Sequence, residues 1–242
     1  MVLKNEIFVV TDSKLADVIL TNPSLMLVLE HFDIKLELHE KTVSQICLEN
    51  NISTHLFLTV VNLFSGYKSK ENTRFSVADI QMIITYLKNC HSYYQLEKYP
   101  QIRSYIDEIY TINKHENVKL LDRFFKIYFN EVNEHLDYEN QVVFPYVLYL
   151  NNVIVKKQHD SIQINYSVTE YKEHHNDIEE KLTDLKNLLI KYLPLDNDQL
   201  VRRKLLFCLF ELEKDLKIHS EIEDTILIPL VEKMEQMIDI NQ

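Results

Sequence analysis

A chain of 242 residues with a single glycine has little material for the tight turns that join neighbouring strands. Those turns rely on glycine for positive φ. Here Gly66 stands alone, and five prolines are the other chain breakers. Leu, Ile, Glu and Lys are abundant instead, and such residues sustain helices. An all-α protein is expected. Apolar residues make up 46% of the chain, enough for a sizeable core. The formal net charge of −11 argues against a nucleic-acid backbone or an anionic membrane as partner. No stretch reaches the roughly 18 unbroken apolar residues of a membrane span. The opening MVLKNEIFVVTDSK lacks a signal peptide's basic start, apolar run and small-residue cleavage site. Cys47, Cys90 and Cys208 form neither a CxxC pair nor a disulfide framework. Together these features point to a cytoplasmic protein.

The polar segment SGYKSKENTR, residues 65–74, reads as a linker. It separates a small helical N-terminal domain, residues 1–66, from a larger helical bundle, residues 75–242. In the first part, Asp12 or Ser13 is expected to cap a helix, Asn22-Pro23 to break and restart one, and Thr42 and Ser53 to cap two more. In the second part four long helical stretches follow, near residues 76–113, 117–149, 167–192 and 197–237. Pro100 is expected to kink or split the first. Between the second and third, IQINY alternates enough for a short extended piece.

Each long stretch carries an apolar stripe in alternating steps of three and four. The first runs Val77, Ile80, Ile84, Leu87, His91, Tyr94. The second runs Leu121, Phe125, Tyr128, Val132, His135, Glu139, Val142, Tyr146. The third runs Val168, Tyr171, His175, Ile178, Leu182, Leu185, Leu189, and the fourth Leu205, Leu209, Leu212, Leu216, His219, Glu223, Ile226, Leu230. These are the inward faces of a four-helix bundle. One histidine sits in every stripe, and the periodicity places His175, rather than its neighbour His174, in the third. His31, His39, His55, His115 and His159 have no seam partner and read as surface or local polar groups.

The second and fourth stripes share a string: HLDYENQVVFP from His135 and HSEIEDTILIP from His219. Residues four apart on a helix share a face, so each His–Glu pair points inward together. One HxxxE pair is common as a surface ion pair, and one seam histidine is usually a satisfied core group. Four histidines in register with two repeated HxxxE units are harder to assign to packing. Buried carboxylates facing each other without a cation are costly and would have raised pKa values. No Lys or Arg lies in the seams near them. Four imidazoles and two carboxylates suit two transition-metal ions, with the glutamates free to bridge. Zinc fits less well with six ligands and no cysteine. Ferritin-like sites use Glu-x-x-His, the reverse order with a shorter step. Cys90 reads as a packed thiol, and Pro145 and Pro229 are expected to bend or end their helices just past this layer.

With His91, His135/Glu139, EHHNDIEEKL around His175, and His219/Glu223, the chain resembles the hemerythrin-like proteins, and most closely their repair-of-iron-centres branch. NPSLMLVLEHFDIKLELHEKTVSQICLENNIS resembles that branch's N-terminal domain. The resemblance implies a hemerythrin-like up-and-down four-helix bundle holding two iron ions with an oxo or hydroxo bridge. Its nitrogen ligands would be His91, His135, His175 and His219, and its bridging ligands Glu139 and Glu223. It also implies repair of iron–sulfur clusters damaged by nitric oxide or oxidants, by iron donation or by nitric oxide chemistry at the metals. Dioxygen or nitric oxide is the implied small ligand, damaged iron–sulfur proteins are the implied partners, and a homodimer is among the assemblies it allows. One departure stands out. Where the branch has a Cys-Cys pair, this chain has Glu37, Leu38, His39 and Glu40. A sensor or carrier of oxygen or nitric oxide, signalling through the N-terminal helices, is therefore the alternative.

Overall fold

The computed structural model describes residues 8–67, 75–156, 166–174, 180–194 and 196–239. Their regular structure is helical, and the one β-type contact among them is an isolated antiparallel bridge between Lys14 and Thr42. Four short helices come first: α1 (Leu15–Thr21), α2 (Leu25–His31), α3 (Val43–Glu49) and α4 (Thr54–Phe64). A cluster of mostly longer helices in a bundle-like arrangement follows. It comprises α5 (Ile80–Tyr93), α6 (Tyr99–Ile112), α7 (Glu116–Tyr138), α8 (Phe144–Lys156), α9 (Val168–His174), α10 (Glu180–Asn187), α11 (Gln199–Ile222) and α12 (Ile228–Asp239).

Local chemistry sets the short helices. Thr42 closes a full capping box on α3: its hydroxyl accepts from the Gln45 N–H, and the Gln45 side chain accepts from the Thr42 N–H. Ser53 caps α4 by accepting from the Leu56 N–H. Such caps contribute about 1 kcal/mol each. The expected cap at Asp12 or Ser13 is not made. Lys14 holds the N-cap position of α1, and the Ser13 hydroxyl accepts from the Val10 N–H instead. Asn22-Pro23 does separate α1 from α2. Asn62 pins the start of the described chain, its amide donating to the Val9 carbonyl at 3.0 Å and accepting from the Val9 N–H at 2.8 Å.

Proline shapes the long helices in a way the sequence expectation missed. Among the described residues four π-helical turns are present: Tyr94–Lys98, Glu139–Val143, Leu188–Tyr192 and Glu223–Leu227. Each closes when the next residue (Tyr99, Phe144, Leu193 or Ile228) donates its N–H to the carbonyl of the turn's first residue. In every case the residue after that is proline: Pro100, Pro145, Pro194 and Pro229. A proline has no N–H for the carbonyl four residues back and its ring crowds that carbonyl. The preceding N–H reaches one residue further instead, and the helix widens by one residue. Around Pro100, Pro145 and Pro229 the chain continues as α6, α8 and α12. Pro100 therefore does not split its helix, and Pro145 and Pro229 do not end theirs. The extra residue also slips the stripe. Val142, expected inside, is 37% exposed, while Val143 is fully buried.

By packing, the chain divides into two compact units, Met1–Asn89 with Val147–Ser161 and Glu221–Gln242, and Cys90–Tyr146 with Ile162–Ser220. In the first, α2 and α3 pack on α4, with Leu29, Ile46 and Phe57 buried. In the second, α7 packs against α6 and α10, with Ile106, Phe125 and Leu185 fully or nearly fully buried. The helix formed by α11, its π turn and α12 is unbroken from Gln199 to Asp239. Helix α8 carries on through the first residues of the segment between the second and third stretches, and residues 162–165 of IQINY lie outside the described residues.

Candidate metal centre

Three helices bring the seam groups together. Helix α5 supplies His91 near its C-terminal end, and α11 supplies His219 in its last turn. Glu139 is the first residue of the π turn after α7, and Glu223 holds the same place after α11, one turn on from His219. All four side chains are 2% exposed or less. Each offers a ligand atom, and these atoms lie within 4.8 Å of one another.

The finer geometry suits cation binding. His91 Nδ1 lies 3.2 Å from Asn140 Oδ1, an oxygen that only accepts, so the Nδ1 proton is committed there. In the neutral ring this leaves the Nε2 lone pair facing inward, 3.3 Å from His219 Nε2. Fixing the outer nitrogen of an imidazole so that the inner one is free is the usual way a protein orients a metal-binding histidine. Phe144 stacks on the His91 ring at 5.3 Å, further restricting it. The two oxygens of Glu139 face different imidazoles: Oε2 lies 3.3 Å from His91 Nε2, and Oε1 lies 3.3 Å from His135 Nε2.

The electrostatics correct one expectation. Burial pushes the Glu139 carboxyl up, but hydrogen bonds and charge from His135 and His91 outweigh it and hold the group well below the ordinary carboxylate range. Glu139 is thus poised as an anion. A buried carboxylate held as an anion is the kind of group a bound cation would complete.

Of the six expected ligands, His91, Glu139, His219 and Glu223 converge, and His135 joins through Glu139. His175, and with it the choice against the His174 side chain, lies outside the described residues. His31 is a correction: it is buried, with its ring edge-on to Tyr86 at 5.5 Å. His115 caps α7 by accepting from the Asn117 N–H, His55 packs on Phe75, and His39 is exposed beside Glu37. His159 lies outside the described residues. Cys90 is packed as expected, but its thiol and an Asp215 oxygen, also within 4.8 Å of each other, make a second, smaller group of potential ligands.

Sequence reasoning missed Asn140 and Asp215. Asn140 directly follows Glu139, at a position where periodicity assigns no inward role. Asp215 lies four residues before His219, in register with Leu212 and Leu216 but one position off the apolar stripe. What the described residues establish is an all-helical protein with clustered, buried metal-ligating side chains and no helix long and apolar enough to cross a membrane. No protein-family model matches the chain, and no curated protein matches it in sequence.

Proposed function

We propose that the chain is a cytoplasmic di-iron protein of hemerythrin-like type that restores iron–sulfur clusters damaged by nitrosative or oxidative stress. The observation that carries this reading is the buried set His91, Glu139, His219 and Glu223, whose ligand atoms all lie within 4.8 Å. His135 and His175 would complete the nitrogen donors, with Glu139 and Glu223 as the carboxylates that would hold the iron. Bound iron supplies one-electron chemistry and positions for dioxygen or nitric oxide. The chain's own residues supply the rest: Asn140 keeps the His91 Nδ1 proton in place, Phe144 holds the ring, and burial excludes water from the carboxylates. Residues 1–66 serve as the small helical domain and residues 75–242 as the metal-binding bundle.

A second reading, a sensor or carrier of oxygen or nitric oxide, is favoured by the N-terminal helices. Glu37, Leu38, His39 and Glu40 replace a cysteine pair, and burial pushes the Cys47 thiol up to about 11, too high for an effective nucleophile. The two readings separate in one experiment. The iron-loaded chain is mixed with a cluster enzyme inactivated by nitric oxide. Repair predicts recovery of most of the lost activity, matched by iron leaving the chain or by consumption of its nitrosyl. Unchanged enzyme activity, with reversible ligand binding and full iron retention, would replace repair with the sensor reading.

A further inference from the structure

Tyr94 begins the first proline-linked π turn, the place that Glu139 and Glu223 hold in theirs. It is fully buried. Its hydroxyl donates to a carboxylate oxygen of Asp215 at 2.7 Å. Its ring lies edge-on to the imidazole of His219, with centroids 5.8 Å apart and planes at 74°. Asp215 is itself 2% exposed and precedes His219 by one turn of α11. A phenol, a proton acceptor for it and a proposed metal ligand are therefore in direct sequence. Burying a carboxylate is costly, and a short O–H···O⁻ bond offsets part of that cost.

We propose that Tyr94 is an internal electron donor to the metal centre, with Asp215 as the acceptor of its proton. This rests on the reading of a redox-active iron site at His219. Removing an electron alone from a buried phenol would leave a buried cation. With Asp215 already hydrogen-bonded, the O–H proton crosses to the carboxylate as the electron leaves through the ring edge toward His219. The products are a neutral phenoxyl radical and a neutral carboxylic acid, so a buried charge is removed rather than created. With hydrogen peroxide as oxidant and one iron ferrous, the balance is complete. The O–O bond breaks and accepts two electrons, one from the ferrous ion and one from Tyr94. The Tyr94 O–H bond breaks and its proton moves to Asp215. Two solvent protons complete two water molecules, and both irons end ferric.

The test uses the full chain, iron-loaded, poised with one ferrous and one ferric ion, mixed with hydrogen peroxide and frozen rapidly for electron paramagnetic resonance. The expected result is a phenoxyl signal whose hyperfine splitting collapses with ring-deuterated tyrosine. It is absent in Tyr94→Phe and at least several-fold weaker in Asp215→Asn, with iron content and optical spectrum retained in both. Tyr93→Phe is the control: Tyr93 donates to Glu211 at 2.7 Å and packs beside Tyr94, and its removal should leave the signal intact. A signal that survives Tyr94→Phe, or a splitting unchanged by deuteration, overturns the assignment. An iron-replete protein that gives no radical overturns this inference alone, whereas a protein that binds no iron overturns the metal reading with it.

Discussion

At pH 8 the iron-free protein carrying Glu223→Gln is expected to melt at the parent temperature or above it. Iron-loaded Glu223→Gln and Glu139→Gln should melt about 5–10 °C below the iron-loaded parent, taking 2–4 °C per kcal/mol for a chain of this size. Without metal the Glu223 carboxylate is a buried charge, and removing it costs nothing or stabilises. With metal, a bridge is lost, and a hundredfold weaker affinity removes up to about 2.7 kcal/mol of ligand-linked stability. Glu139 adds a pH dependence of defined sign. Its carboxyl is depressed in the folded state by His135 and His91 against the opposing effect of burial. The stability it contributes is therefore present above the unfolded value of about 4.3 and lost as pH falls through the folded one. Iron-free Glu139→Gln should therefore be destabilised above that unfolded value, and the cost should shrink as pH falls below it. Thermal midpoints with and without iron, from about pH 3.5 to pH 8, check both halves. Equal destabilisation of both forms of Glu223→Gln at pH 8 would make that glutamate structural.

Arg202→Ala is expected to destabilise the protein by about 3–5 kcal/mol, the range for stranding one member of a buried ion pair. Arg202 donates to Asp198 at 2.8 Å, and Asp198 is fully buried. Its guanidinium also donates to the carbonyls of Leu193 at 2.6 Å, Pro194 at 2.8 Å and Leu189 at 3.2 Å. Asn113 ties the same cluster to the end of α6, donating to the Pro194 carbonyl at 2.9 Å and to Asp198 at 3.3 Å. These carbonyls belong to the π turn ahead of Pro194 and the residues after it, where no helical N–H follows to satisfy them. The double variant Arg202→Met with Asp198→Asn should recover much of the loss, because it leaves no unpaired charge. Denaturant unfolding of the three proteins measures this. A single variant within about 0.5 kcal/mol of the parent would show that the cluster is inert.

The helices were legible where a side chain bonds its own neighbourhood. Thr42-x-x-Gln45 and Ser53 announce their caps, and Asn22-Pro23 its break. The stripe carrying His91, Glu139, His219 and Glu223 was legible because periodicity of 3.6 is set by the helix alone. The π turns were not, although their signal lay in the sequence. Prolines at matching positions past Tyr94, Glu139, Leu188 and Glu223 mark where the regular bond cannot form, but proline inside a helix is conventionally read as a kink. The consequence was a one-residue error at Val142 against Val143. The partnerships of Asn140 and Asp215, and that of Asp198 with Asn113, escaped for a different reason. Each depends on which residue of another segment comes near, and local periodicity holds no information on that. His31 was read as a surface or local polar group because it stands outside the seams, and it is buried against Tyr86.

Metal analysis of the protein, isolated from iron-supplied cells without chelators, bears most directly on the buried His–Glu set. About two iron atoms per chain are expected, as in other paired-metal sites, with oxo-bridged ferric absorption in air. Both should be lost together in His219→Ala, which removes one of the converging donors. Less than about half an iron per chain, or stoichiometric zinc in its place, would contradict the assignment, because a buried set of neutral imidazoles and carboxylates that folds around iron should retain it through purification.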